Sequence, residues 1–511
     1  MRRNLIAAID VGSHAIRMKI GEINRAGVFK ELESFRKIAV VGHDTFKSQK
    51  VSFESVDKIC EILGNFNKTM NDYGVRHYQA MATSAIREAK NREYILDQIN
   101  LKTGFDVQVI DNAQEQFLTL KGLKYHLENY ETLVDEGVIV VVIGAGSIQV
   151  TTYLEGELRS SQNVKMGALR IKEILGSLEN SILKYNEVLE EYIRVNMEGL
   201  LVVGRDSDFK HLIVVGGEMS VISGMIEQGN LEDQVIKKKQ LRDLYKRLLT
   251  MSIEEIRYEY DVRRERADII LPSLMLLNQF VKMTDSKNII VPNVSLVDGI
   301  VRHIHENLYN LRLDETTVRD VITNAKVIAK SYHYNEAHCT YVEEVALQLF
   351  DKLKKVHGLK LERQHLRVAA ILHDIGKFIS LDKHSAHSYE LIRVIELFGM
   401  SKIDMEIIAV VSKYHGMAAP EDTKYDFGSL PKDKITIAAK LIAILRIADS
   451  MDRGHGQKIA IKSVKVKDKV LTIKGVSHLD TTLEEWNFAG KSKFFKDVFG
   501  ITPELKITRE V

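Results

Sequence analysis

The sequence predicts an α/β plus all-α protein: two α/β lobes, a helical domain and a small β-containing tail. Three observations carry this. The chain opens with an apolar run, a glycine-containing turn and a second apolar run, LIAAIDVGSHAIRMKI from Leu5 to Ile20. The theme restarts at Val134 in VDEGVIVVVIGAGSIQVTTYLEGELRSSQNVKMGALRI. After Arg302 the texture becomes almost unbroken helical periodicity to about Asp452, and strand-like IAIKSVKVKDKVLTIKG returns from Ile459. Short apolar runs between turn residues read as strands, and apolar residues at helical spacing read as helices. A chain of 511 residues is long enough for several cores. The divisions expected are 1–130, 131–302, 303–458 and 459–511.

Within the first lobe, Leu5-Ile6-Ala7-Ala8-Ile9 is a strand that ends in Asp10, and Gly12 permits a tight turn into the second strand. Strand-like runs follow at Val28 to Val41, His77 to Ala82 and Val107 to Ile110. Helical patterns cover Phe53–Tyr73 and Ala113–Tyr130. The amides and hydroxyl around Gly12-Ser13-His14 can face a phosphate, with Asp10 beside them to hold a metal or a water. The same residues also describe an ordinary hairpin with an aspartate before its turn, and they do not separate the two by themselves. Two halves that open alike are expected to clasp a ligand between them. With only five prolines in the chain, glycine and polar clusters provide the punctuation, so boundaries are soft by several residues.

Composition excludes several classes. Seventy-two Lys plus Arg against 70 Asp plus Glu leave a net charge of +2, which argues against nucleic acid or an anionic membrane as the main partner. The Lys237-Lys238-Lys239 run reads as a solvated helix face. Cys60 and Cys339 have neither metal nor disulfide spacing, which suits a reducing, cytoplasmic location. No window approaches a membrane span.

The helical region carries its own constellation. His373-Asp374 sits in ILHDIGK, a signature similar to that of HD domains. His338 lies 35 residues earlier, and His387, His415 in SKYHG and Asp449 in RIADSMD follow. Imidazoles and carboxylates on several helices of one bundle can converge on a divalent ion. His338, His373, Asp374 and Asp449 make a one-metal site. Adding His387 and His415, with Asp374 bridging, makes a two-metal site of the kind HD-type phosphohydrolases and phosphodiesterases use, for Mn²⁺, Fe²⁺ or Mg²⁺. The alternative is that a few of 17 histidines fall there by chance, against which the ordered series within helical segments argues. Lys377 reads either as a contact for a substrate phosphate or as a solvated helix charge.

The first 302 residues resemble a known family. MATSAIREAKN from Met81 to Asn91 is nearly the ATSALREAxN signature of the exopolyphosphatase and guanosine pentaphosphate phosphohydrolase (Ppx/GppA) family. IDVGSHAIRM looks like that family's first phosphate loop, and VIDNAQEQFLTLKG lies where the family has ISGxEEA. VVVIGAGSIQV occupies the second phosphate loop, and RADIILPSLMLL through VSLVDGIV resembles the close of the second lobe. The resemblance implies two actin-like (RNase H-like, ASKHA) lobes. It implies Glu115 as catalytic base, Asp10 on a metal or water, and Arg87, Gly12, Ser13, Gly144, Gly146 and Ser147 on phosphate, with Mg²⁺ in the lobe cleft. LRIADSMDRGHGQKI around Asp449 resembles the family's C-terminal domain, which in long forms is HD-like and dimerises, so a homodimer is expected.

The departures matter equally. Where the family has Asp-Ile-Gly-Gly-Gly-Ser-Thr-Glu, this chain has Val142-Ile143-Gly144-Ala145-Gly146-Ser147-Ile148-Gln149, so the loop has lost both acids. Gln114 replaces one of two paired acids, while Glu115 remains. Losing such groups costs orders of magnitude in rate. Gly216 and Gly217 in IVVGGE weakly resemble the superfamily's nucleoside-binding turn. His14, where the family accepts a small polar residue, reads as structural, and Trp486 as part of the closing tail. The first expectation is therefore hydrolysis of terminal phosphate from polyphosphate or guanosine pentaphosphate in the lobe cleft. A second makes the lobes a degenerate ligand-binding pseudoenzyme and the HD site a metal-dependent phosphohydrolase or phosphodiesterase. A third is a non-catalytic binder of polyphosphate or an alarmone nucleotide.

Overall fold

A computed structural model describes residues 4–179, 184–202, 209–227, 235–311, 315–360, 362–416 and 427–509. It divides into two compact units, residues 1–320 and 321–511. The first unit holds two sheets. In one, β1 (Asn4–Val11), β2 (Ala15–Ile23), β3 (Phe29–Ile38), β4 (His77–Ala82) and β5 (Val107–Val109) run in the order β3-β2-β1-β4-β5. The other contains β6 (Val138–Ile143), β7 (Ile148–Leu154), β8 (Glu157–Val164), β9 (His211–Gly216), β10 (Val235–Lys237) and β11 (Asn288–Ile290), ordered β10-β11-β9-β6-β7-β8. In each sheet an antiparallel meander of three strands is continued by parallel ones, β1-β4-β5 and β6-β9-β11. The restart visible in the sequence at Val134 is thus a second copy of one topology, with β10 added at its edge.

The central strands explain the apolar runs. Ile6, Ala7, Ala8, Ile9 and Val11 of β1 are all buried, as expected for a strand covered on both faces. Both hairpins close with the same bond, Gly12 N–H to Ala15 O at 3.2 Å and Gly144 N–H to Ser147 O at 2.9 Å. A Cβ on either glycine would meet that carbonyl oxygen, at 2.8 and 3.0 Å. Asp10 pairs with Arg17 and Arg17 with Arg36 across β1, β2 and β3, while Val142 pairs with Gln149.

Helices follow the sequence reading with local differences. Phe53–Tyr73 forms as expected, capped by Ser52 and closed by Gly74 at φ 70°. The pattern over Ala113–Tyr130 breaks into helices Asn112–His126 and Tyr130–Glu136, because Leu127 leaves helical geometry at ψ 110°. The expected strand to Val41 stops at Ile38, where the Ala39 and Val40 amides turn to His14 O. Gln114 belongs to a capping box with Asp111, which accounts for it structurally. Arg302, taken as a domain boundary, lies inside helix Leu296–Tyr309, which packs on Asn112–His126. The lysine run sits at the junction of β10 and helix Lys238–Leu248, with Lys238 donating to Thr284 O.

The second unit contains helices Glu336–Lys352, Arg363–Leu372, His384–Val394, Lys402–Lys413 and Lys432–Ser450. Strands β12 (Ala460–Lys467), β13 (Val470–Ser477) and β14 (Thr502–Arg509) form a three-stranded sheet, and helix Thr482–Phe499 packs on Lys432–Ser450. Trp486 on that last helix is exposed. Among the described residues no helix is long and apolar enough to cross a membrane.

Candidate functional site

Two sites take shape, one in each unit. In the first unit, Asp10, next to last in β1, is almost fully buried, and its Oδ2 accepts from Arg17 Nη1 at 3.1 Å while Oδ1 has no hydrogen-bond partner. Burial pushes its carboxyl up to about 6, Arg17 opposing and Glu115 adding to the rise. Glu115, in the first turn of Asn112–His126, accepts from Arg87 Nη1 at 3.0 Å, and Arg87 also donates to Ile110 O and Asn112. Ser13 Oγ is tied to Ser84 Oγ at 2.7 Å and accepts from Ala85 N–H at 3.0 Å, so it braces one loop on the next. The Gly12 and Gly144 N–H groups are spent in their own turns. Gly146 allows close packing, since a Cβ there would stand 2.3 Å from Ser84 Oγ. Ser147 is buried beside it in sequence, at the start of the loop's return to β7.

Around this core lie further groups, of which the sequence reading passed over Arg17 and Arg36. Arg17 and Arg36 converge on Gly217, whose added Cβ would lie 3.0 and 3.6 Å from their Nη2 atoms. Arg36 pairs with Glu218 at 3.1 Å. His14 is buried with neither ring nitrogen bonded, and burial with Arg36 and Arg17 pushes it down to about 4. Gln149, 2% exposed, has neither amide atom partnered, and Val142 faces it across the hairpin. The carboxylates gathered here, Asp10, Glu115 and Glu218, are each already held by an arginine.

Asp10 makes a pH prediction. The folded chain keeps a proton between the ordinary 3.8 and about 6 that the unfolded chain has released. The associated stability is present below pH 4 and lost as pH rises through 6, about 3 kcal/mol for a shift of this size. Asp10→Asn cannot titrate, so denaturation between pH 4 and 7 is expected to show its stability relative to wild type rising by about that amount. A difference that does not change with pH would remove burial as the cause.

The second unit brings together a denser set. His338 Nε2 lies 3.3 Å from His373 Nε2, and Asp449 Oδ1 stands 3.4 and 3.7 Å from the two. Asp374 Oδ2 is 3.7 and 3.6 Å from the same nitrogens. Its other oxygen, Oδ1, is 3.4 Å from His384 Nε2 and 3.5 Å from His415 Nε2, which are 3.3 Å apart. Each Nδ1 points away from the centre: His338 to Asp452 Oδ2 at 2.9 Å, His373 to Ala370 O at 2.8 Å, His384 to Leu381 O at 3.2 Å and His415 to Ser412 O at 2.6 Å. Carbonyl and carboxylate oxygens only accept, so every Nδ1 carries hydrogen and every Nε2 faces inward. Two pairs of Nε2 atoms thus face each other, with a carboxylate oxygen against each.

Shifted acidities follow from that geometry. Burial pushes His373 down to about 3. Burial works against a charge on His338 too, but Asp449 and Asp452 outweigh it and raise it to about 9. Despite burial, His373 and His415 hold Asp374 well below the carboxylate range, and Lys491 and His338 do the same for Asp449.

Residues 24–307 match the model of the Ppx/GppA phosphatase family, and residues 318–488 match the model of domain III of Ppx/GppA phosphatases. The chain belongs to the Ppx/GppA phosphatase family. A guanosine-5'-triphosphate,3'-diphosphate pyrophosphatase of Vibrio parahaemolyticus is 23% identical over 466 residues, 87% of this chain and 86% of that protein. Exopolyphosphatase 1 of Mycobacterium bovis is 24% identical over 166 residues, 32% of this chain and 47% of that one. Among solved structures, an exopolyphosphatase from Cytophaga hutchinsonii is similar with a TM-score of 0.53 at 20% identity, covering 60% of this chain and 98% of that one. The Aquifex aeolicus member of the Ppx/GppA family gives 0.50 at 20% identity, over 61% and 100%. These structures show the fold, the two-lobed actin-like architecture of the family.

Within this Ppx/GppA chain, the structure corrects one expected ligand. His384, not His387, reaches Asp374. Helix His384–Val394 turns the face of His384 and Ser388 to the ligand turn, where Ser388 Oγ accepts from Gly376 N–H at 2.9 Å. Among the described residues His384 belongs to a ligand cluster with Asp374 and His415, and His387 belongs to none. The KHSAHS segment contains both histidines, and only the helix start at His384 separates them. Asp452 and Lys491 were also missed, though each left a trace. Asp452 follows Asp449 by three residues at the end of one helix. Phe488, Lys491 and Phe495 fall at the spacing of a buried face, with a lysine where an apolar residue belongs. The clusters of three or more ligands found among the described residues, with ligand atoms within 4.8 Å of one another, all lie in this unit.

Proposed function

We propose that this protein is a phosphohydrolase whose hydrolytic centre is the HD-like cluster of the second unit, while the lobe cleft holds a phosphate-bearing ligand. The observation that carries the proposal is the inward orientation of four Nε2 atoms around Asp374 and Asp449, fixed by four outward Nδ1 bonds. His338, His373, Asp449 and Asp374 would hold one divalent ion, and His384, His415 and the second oxygen of Asp374 another. Mn²⁺, Fe²⁺ and Mg²⁺ fit nitrogen and oxygen donors of this kind. When bound, such ions polarise a phosphoryl oxygen and acidify water. The protein's part is to hold the donors without reorganisation and to keep Asp374 shared between the two halves.

Polyphosphate and guanosine pentaphosphate or a related nucleotide are the substrates proposed, in line with what the relatives' names state of those proteins. A cytoplasmic homodimer belongs to the same reading, and both cysteines are buried free thiols, as a reducing compartment requires. A second reading keeps hydrolysis in the lobe cleft. Asp10 Oδ1 is unpartnered and Glu115 is close enough to raise the Asp10 pKa, and Mg²⁺ commonly enters on one or two carboxylates together with substrate phosphates.

Phosphate release with Mg²⁺ or Mn²⁺ from long-chain polyphosphate and from guanosine pentaphosphate decides between them. His373→Ala is expected to lose about 10³-fold in rate and Glu115→Gln to stay near wild type, following the typical worth of such groups. The reverse pattern returns the reaction to the cleft. An inert wild type that still binds polyphosphate or the nucleotide makes the protein a receptor.

A further inference from the structure

Lys491 is a buried lysine, 2% exposed, on helix Thr482–Phe499 of the closing segment. Its ammonium bonds Asp449 Oδ2, while Asp449 Oδ1 faces His338 and His373. Asp374 has a comparable partner in Lys377, bonded to its Oδ2. The two lysines differ in freedom. Lys377 is 29% exposed and can swing toward solvent when a cation arrives; Lys491 has nowhere to go.

The same helix also supports the other half of the cluster. Arg446, fully buried, donates from Nη1 to Tyr414 O at 2.9 Å and to Gly416 O at 2.6 Å, the residues on either side of His415. Its guanidinium lies over Phe494, 5.8 Å from the ring centroid. A buried carboxylate without a counter-charge is strongly destabilising, and one of its oxygens held by a fixed cation leaves the other in a single orientation.

We propose that Lys491 is the resident counter-ion and positioning residue of the metal centre. It neutralises Asp449 so that the second unit folds before any metal is bound, and it fixes Asp449 as a one-oxygen ligand. The closing helix is then a working part of the centre. This inference rests on the HD-like cluster being a metal site.

The test compares wild type, Lys491→Met and Lys491→Arg by thermal denaturation in EDTA and in Mn²⁺, with Mn²⁺ binding followed by titration calorimetry. Lys491→Met is expected to melt well below wild type in EDTA, with most of that loss restored by Mn²⁺, because the ion supplies the missing charge beside Asp449. Lys491→Arg is expected to recover part of the loss in EDTA. An equal loss with and without Mn²⁺, or no loss in EDTA, would assign Lys491 to packing and overturn the proposal. If wild type binds no Mn²⁺, the metal centre itself fails and the role of Lys491 with it, a result the calorimetry shows separately from the melting curves.

Discussion

Asp374→Asn is expected to empty both halves of the cluster and to lower phosphate release by about 10³-fold or more, the scale on which removal of one central electrostatic group acts. Asp374 reaches both halves, Oδ2 toward His338 and His373 and Oδ1 toward His384 and His415. An asparagine keeps the shape but has one coordinating oxygen. Its NH₂ group can donate to the facing Nε2 pair of either half, so it supplies hydrogen where an ion would sit and leaves the metal-free fold intact. His384→Ala should act on one half only and leave the ion of His338, His373 and Asp449 in place. Elemental analysis of the purified variants, read beside their rates, checks this. Retention of two ions by Asp374→Asn, or a rate within about tenfold of wild type, would show that Asp374 is not the bridge.

Most of the architecture was legible because burial on both faces writes itself into composition. Leu5 to Ile9 and Val138 to Ile143 read as central strands from apolar continuity alone, and their shared turn chemistry revealed the duplication. The convergence of His338, His373, His415 and Asp449 on Asp374 was legible for a different reason, since ligand chemistry restricts residue type and leaves an ordered trace along helices. What was lost depends on where an element starts or which way a strand faces. One helical start decides between His384 and His387. Arg17 and Arg36 are ordinary charges in a sequence, and only the registers Asp10↔Arg17 and Arg17↔Arg36 aim them at the cleft. Gln114 looked like the loss of an acid, while the fold uses it as a cap. Val142 and Gln149, read as lost acids, lie opposite each other in the hairpin, and the amide of Gln149 is left buried and unpartnered.

Gly299→Ala is expected to destabilise the first unit by on the order of 3 kcal/mol, the upper range for forced overpacking. Helices Asn112–His126 and Leu296–Tyr309 approach so closely that a Cβ on Gly299 would stand 1.9 Å from Leu118 O and 2.4 Å from Leu118 C. The approach is reciprocal, because a Cβ on Gly122 would meet Gly299 N at 2.8 Å. The obstacle is helical backbone, which cannot rotate aside as a side chain can, so one helix must shift. Asn112–His126 carries Glu115, and its displacement would also strain the Arg87 contact at 3.0 Å and the Lys121–Glu306 pair at 2.6 Å. Gly64→Ala provides the opposite sign. Gly64 lies in helix Phe53–Tyr73 with nothing within 4 Å of an added Cβ, so alanine should stabilise by up to about 1 kcal/mol through helix propensity. Chemical denaturation of the two variants should therefore move in opposite directions from wild type. If Gly299→Ala unfolds at the wild-type midpoint, the helices have room to separate, and the close crossing does not hold Glu115 in place.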